Sequence, residues 1–162
     1  MPLNTIPNKG LTSRGYPSDR LVTPIIINGD MSVAQRGTSA TGKTADGYYT
    51  TDRWNHSINL GTWSITQATD IPTGQGFAKS HKMTCTTGGS TSAGTQTYFH
   101  TRLEGQNLQM LKKGTSNAES LTLSFWGKSA TTTGTMTVEL FDTDNSRQIS
   151  KQISLTTSWT KY

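Results

Sequence analysis

The chain has 162 residues, enough for one domain with a buried core and an attached arm, but only 31% are hydrophobic and 15% charged. That balance excludes a rich helical core and a charge-driven disordered chain, while the wealth of Thr, Ser, Gly, Asn and Gln favours an antiparallel β domain: Thr fits a pleated, half-wet surface, and Gly, Asn and Ser fit turns. The net charge of +5 permits an acidic partner, yet the 15 basic residues are scattered, only Lys112 and Lys113 being adjacent, and no base-stacking motif accompanies them, which argues against nucleic acid.

Residues 1–24 hold Pro2, Pro7, Pro17 and Pro24, four of the chain's 5 prolines, and show no sustained period. Few backbone donors and an extended preference predict an arm that a partner orders, with Leu3, Ile6, Leu11, Tyr16 and Leu21 as its docking residues. The opening MPLNTIPNKG lacks a basic region followed by an apolar one, and the longest purely apolar run is Ile25, Ile26, Ile27, so neither a secretory signal nor a membrane span is expected.

From Ile25 the pattern becomes strand and turn. The three isoleucines read as a strand ended by Asn28-Gly29, a strong turn dipeptide; residues 48–54 and 63–67 follow as strands, the second alternating Trp63 and Ile65 with Ser64 and Thr66. Residues 77–85 and 95–103 are further strands around the glycine-rich loop TTGGSTSAGTQT, and Cys85 reads as a small buried residue. A single cysteine excludes an internal disulfide and a cysteine-based zinc site. Within residues 103–114, Leu108, Met110 and Leu111 cluster, Lys112 and Lys113 suit a helix carbonyl end, and Gly114 suits a cap. This predicts a helix of about two turns covering the open end of a sandwich. Leu121, Leu123 and Phe125 then share one strand face and Met136, Val138 and Leu140 another; residues 142–146 turn, and 147–155 form a strand before SWTKY.

Gly37, Gly42, Lys43 and Thr44 complete a letter-for-letter G-x-x-x-x-G-K-[ST] phosphate-binding pattern. The chemistry needs a buried strand entering the loop and a helix leaving it, so that backbone N–H groups and the helix dipole meet the phosphates. The upstream SVAQR is too polar for that strand, and the downstream ADGYYTT is a poor helix start, so a solvated loop is expected.

The 3 histidines, His56, His81 and His100, have no recurring ligand spacing, and no nucleophile with its base is visible. Asp142 and Asp144 could bind a structural calcium ion but suit a hairpin turn better, so no cofactor is expected. Asn55-His56-Ser57 fits the glycan-acceptor pattern, without consequence when no secretion signal precedes it. Trp54, Trp63 and Trp126 are the candidate carbohydrate-binding residues: an exposed indole is a flat apolar platform for a sugar ring, although each could equally pack in the core or rim, as could Trp159.

The ordered set IIINGDMSVAQRGTS, GYYTTDRWNH, GTWSITQ, LEGQNLQML, GTSNAESLTLSFWGKS and TTSWTKY resembles a domain of bacteriophage tail-fibre and virion appendage proteins, and the likeness covers residues 25–162. The resemblance implies a jelly-roll β-sandwich similar to galactose-binding and other carbohydrate-binding modules, noncatalytic and joined to the virion by its amino-terminal segment. It implies structural roles for Trp54, Glu104, Phe125 and Trp126. Such domains run beyond the SWTKY segment, so the last sheet is expected to lack a member.

The expectation is therefore an all-β chain: an extended arm, 1–24, and an antiparallel jelly-roll sandwich, 25–162, with one short helix. Its expected partners are other virion proteins (capsid, portal or tail), host-surface polysaccharide, and copies of itself in a trimer, because fibres resemble trimers. A capsid decoration protein that binds no glycan is the second reading, and an enzyme depolymerising host polysaccharide the third.

Overall fold

The computed structural model describes residues 25–131 and 133–162. The arm and its proposed docking residues Leu3, Ile6, Leu11, Tyr16 and Leu21 lie outside the described residues.

Nine strands occur among the described residues: β1 (Ser39–Lys43), β2 (Asn55–Ile58), β3 (Thr62–Ala68), β4 (Ser80–Thr87), β5 (Thr97–His100), β6 (Trp126–Gly127), β7 (Gly134–Asp142), β8 (Arg147–Leu155) and β9 (Thr160–Lys161). A 3₁₀ helix, Gly105–Leu111, separates β5 from β6. Every ladder is antiparallel: a three-stranded sheet in the order β1-β3-β4, and the pairs β2-β5, β6-β9 and β7-β8.

Strand β3 follows directly from its alternation. Trp63, Ile65 and Gln67 share a face, opposite Cys85, Met83 and His81 of β4, and along that face Ile65 is 0% exposed and Gln67 is buried. The Gln67 side-chain amide donates to the backbone oxygens of Met31 (2.7 Å) and Ser32 (3.0 Å), so its burial leaves no bare donor there. Among the described residues the buried set is small and mostly polar: Ile58, Ile65 and Leu111 are its hydrophobic members, Thr50, Thr51, His56, Gln67 and Ser80 its polar ones, and Pro72 joins them.

Several sequence expectations change. The phosphate-loop lookalike is the edge strand β1, whose register against β3 slips between Ala40 and Lys43, where Gly42 takes φ +65° and so permits a bulge. Residues 25–30 are bends and turns, and residues 48–54 form a folded loop; neither is a strand. The short helix is 3₁₀, and it closes at Lys112, a left-handed residue at φ 50°, before Gly114 is reached. Leu111 is its buried residue, whereas Met110 is 47% exposed. Residues 121–125 alternate as a strand does, but among the described residues only Phe125 finds a backbone partner: it exchanges hydrogen bonds with Tyr162 (3.1 and 2.9 Å), extending the ladder of Trp126–Gly127 with β9, while residues 121–124 join none. Cys85 is exposed, its Sγ 3.4 Å from the Thr87 oxygen.

Strands β7 and β8 match their expected bounds closely and form a nine-pair hairpin. Residues directly opposite share a face, so Met136, Val138, Leu140, Ile149, Ile153 and Leu155 lie together with Lys151, while Thr135, Thr137, Glu139, Gln148, Ser150, Gln152 and Ser154 lie on the other side with Phe141. In the turn, Asp142 accepts from the Asp144 amide (3.2 Å) and the Asn145 side chain (2.7 Å), the turn chemistry expected of this pair.

With so few buried hydrophobic residues, each matters. Replacing Ile65 by Ala removes three buried carbons from the sheet interior, and we expect a loss of about 2–5 kcal/mol in stability, read as a fall in the urea midpoint without a change in slope. A loss under about 1 kcal/mol would show that the sheet does not depend on this face.

Candidate functional site

The loop GYYTTDRW, residues 47–54, is the element around which a site is built. Gly47 and His56 exchange both backbone hydrogen bonds at 2.9 Å, which closes the loop's base. Asn28, left-handed at φ 56°, braces the other end: its side-chain amide donates to the oxygens of Asp52 (2.8 Å) and Val33 (3.0 Å), its Oδ1 accepts from the Val33 amide, and its backbone oxygen accepts from the Trp54 indole (3.0 Å). Between these anchors the loop divides. Thr50 and Thr51 are buried, whereas Tyr48 and Arg53 are exposed. Arg53 takes φ 72°, an unfavourable backbone for a residue with a Cβ, held there by its braced neighbours.

Under the loop lies a pair of histidines. His56 on β2 is 0% exposed, and its Nε2 is 2.9 Å from Nε2 of His81 on β4. The other nitrogens fix the tautomers. His56 Nδ1 faces the Gly47 carbonyl (3.3 Å), which can only accept, so Nδ1 carries the hydrogen and Nε2 is the acceptor. His81 then donates from Nε2 and accepts at Nδ1 from the Thr51 hydroxyl (2.9 Å). The chain Thr51 to His81 to His56 to Gly47 is satisfied with both rings neutral. Phe99 lies against both rings, at centroid distances of 4.9 Å from His81 and 6.3 Å from His56, and Trp54 packs on Phe99 at 5.3 Å. Burial, and then the neighbouring His56, push the His81 pKa down to about 3; burial is also the main cause lowering those of His56 and His100.

Above the loop is an open concavity of about 510 Å³ lined by Gln35, Arg36, Tyr48, Asp52, Arg53, Arg102 and Glu104. Arg36 pairs with Asp52 (3.3 Å), whose side chain is 16% exposed, and its guanidinium lies 5.4 Å from the centre of the Tyr48 ring. Arg53 pairs with Glu104 (3.1 Å), which also accepts from the Gln106 amide, and these bonds, that to Arg53 foremost, hold the Glu104 carboxyl below its usual range. Tyr48 leaves 44% of its surface open.

The three predicted tryptophans are half-buried and sit apart from this concavity's lining. Trp54 packs on Phe99; Trp63 donates its indole N–H to the Leu60 oxygen (2.8 Å); Trp126 lies in the β6-β9 ladder opposite Lys161. Trp159 bonds Asp70 (2.9 Å) beneath the Lys128 ammonium. Lys43 of the phosphate-loop lookalike lies 4.9 Å from the Tyr49 ring centre, on an edge strand with no helix following. Among the described residues no group of three His, Cys, Asp or Glu side chains could hold a metal ion. The sequence reading missed Tyr48 and the three arginines, which are far apart in the chain and carry no motif.

Comparison with protein-family models, with curated proteins and with solved structures finds no match to this chain.

The histidine pair sets a pH dependence. The folded-state pKa of His81 lies below the unfolded value of about 6.5, so the unfolded chain binds the extra proton first; the stabilisation is complete above about pH 6.5 and is lost progressively as pH falls towards 3. At pH 5 we expect His81 alone to account for about 2 kcal/mol of lost stability, visible in thermal melts at pH 7.5 and 5.0. His81→Gln should flatten that difference; an equal drop in the variant would assign the acid sensitivity elsewhere.

Proposed function

We propose that this chain is a noncatalytic structural subunit of a bacteriophage virion, of the tail-fibre or appendage kind, whose residues 25–162 form a jelly-roll-like sandwich that adheres to host glycan. The observation that carries its membership of an assembly is the hairpin β7-β8. One face gathers Met136, Val138, Leu140, Ile149, Ile153 and Leu155, interrupted by Lys151 alone, yet Ile149 is 71% and Leu140 44% exposed. A lone two-stranded hairpin is marginal in water, and a largely apolar, exposed face of this kind marks a surface that another chain covers. Leu121 and Leu123, at 48% and 37% exposed, add to the apolar surface left open. Other virion proteins, or copies of this chain in a trimer, are the partners this reading supplies.

Adhesion rests on the loop-borne concavity, where an exposed aromatic ring stands among planar hydrogen-bonding side chains, the combination that sugar rings require. The uncovered hairpin serves equally well a capsid decoration protein, the second reading. The two part on whether saccharide binds.

Leu140→Glu with Ile149→Lys, residues directly opposite one another, places an ion pair on the apolar face while altering side chains that are already exposed. We expect stability to change by no more than about 0.5 kcal/mol per site, while incorporation into virions in a complementation assay falls sharply. Wild-type incorporation of the double variant would sink the assembly role of this face.

A further inference from the structure

We infer that the concavity between Tyr48 and Arg102 is a saccharide subsite selective for sugars that carry a carboxylate. The inference rests on the adhesion reading and names its ligand class. Its first support is the balance of charge. Three guanidiniums, Arg36, Arg53 and Arg102, line the concavity against two carboxylates, Asp52 and Glu104. Asp52 is taken by Arg36 at 3.3 Å and Glu104 by Arg53 at 3.1 Å. Among the described residues Arg102 has no carboxylate partner, so the lining carries one positive charge in excess. A planar guanidinium presents a fork of donors that matches a carboxylate with two parallel hydrogen bonds, which a neutral hydroxyl cannot do.

Shape and rigidity give the second support. The Tyr48 ring, 44% exposed, offers an apolar face for the C–H side of a pyranose ring, and Gln35, Asp52 and Glu104 offer amide and carboxylate partners for its hydroxyls. The volume, about 510 Å³, falls within the span usual for small-molecule sites. The loop carrying Tyr48, Asp52 and Arg53 is fixed before any ligand arrives: Asn28 bonds the Asp52 backbone, Thr51 bonds His81, and Gly47 is laddered to His56. A preformed site loses little conformational entropy on binding.

The test is a glycan array of neutral, carboxylated (uronate and sialate) and sulfated saccharides probed with the full chain, followed by titration of the best ligand. We expect binding to be concentrated on carboxylated sugars and to weaken as salt rises. Methyl esterification of the carboxylate and Arg102→Gln should each lower affinity about tenfold or more, Arg102→Lys should recover only part of it, and Lys151→Gln, an equal loss of charge at an exposed residue outside the lining, should leave it unchanged. Equal binding of acid and methyl ester, or of neutral sugars, overturns the carboxylate selectivity and leaves adhesion standing. Equal binding of sulfated sugars, with Arg102→Lys fully active, reduces the site to unspecific charge and overturns it too. Failure to bind any saccharide defeats adhesion and this inference together.

Discussion

Two neutral imidazoles, His56 and His81, meet nitrogen to nitrogen at 2.9 Å, and that contact ties β2 of one sheet to β4 of another. Its direction is not free. The Gly47 carbonyl obliges His56 to donate at Nδ1, His81 must therefore donate at Nε2, and the Thr51 hydroxyl fills the last nitrogen. A buried polar group without a partner costs about 1–3 kcal/mol, so this chain is stabilising only when complete. The loop that presents Tyr48 and Arg53 is attached to it through Thr51. Fold and candidate site thus share one set of hydrogen bonds.

That arrangement suits a chain with little apolar material. Among the described residues Ile58, Ile65 and Leu111 are the buried hydrophobic side chains of the core, outnumbered by the buried polar residues Thr50, Thr51, His56, Gln67 and Ser80. Among the described residues Thr50 Oγ1 and His100 Nδ1 are buried without a hydrogen-bond partner, so the polar interior is not perfectly satisfied there. A polar interior specifies geometry well, because each donor accepts few partners, but it contributes less free energy than an equal volume of aliphatic carbon. Association with another chain, burying the hairpin face, offsets that shortfall in the reading proposed above.

The legibility of the sequence follows from the same division. Strands β3, β7 and β8 could be read because alternation of Trp63 and Ile65, or Met136, Val138 and Leu140, requires only local sequence. Alternation of Leu121, Leu123 and Phe125 reached too far: Phe125 pairs with Tyr162, but residues 121–124 meet no partner strand among the described residues, and sequence periodicity does not say where a neighbour stops. Residues 48–54 have strand composition, yet Asn28, Thr51 and Trp54 offer the backbone and side chains competing bonds, and a loop results. The histidine pair spans 25 residues, and only the approach of β2 and β4, strands of two different sheets, brings the rings together. The tryptophans drew attention by size; the structure instead gathers a tyrosine and three arginines whose spacing in the chain shows no pattern.

Scattered charge in a sequence is therefore a weak argument against a charged surface. Arg36, Arg53 and Arg102 come from three separate segments, and each was unremarkable where it stood. What makes them a set is the loop fixed by Asn28 at one end and Gly47 at the other, since a mobile loop would let Arg53 and Asp52 disperse into solvent, where exposed ion pairs contribute little. The unfavourable backbone of Arg53 fits the same logic: a left-handed residue persists only where its neighbours over-determine it, and here Asp52 and Trp54 on either side are both tied to Asn28. The strained residue and the braced loop are one feature, and it is the feature that aims the Arg53 guanidinium and, through Asp52, that of Arg36 into the space that Arg102 also lines.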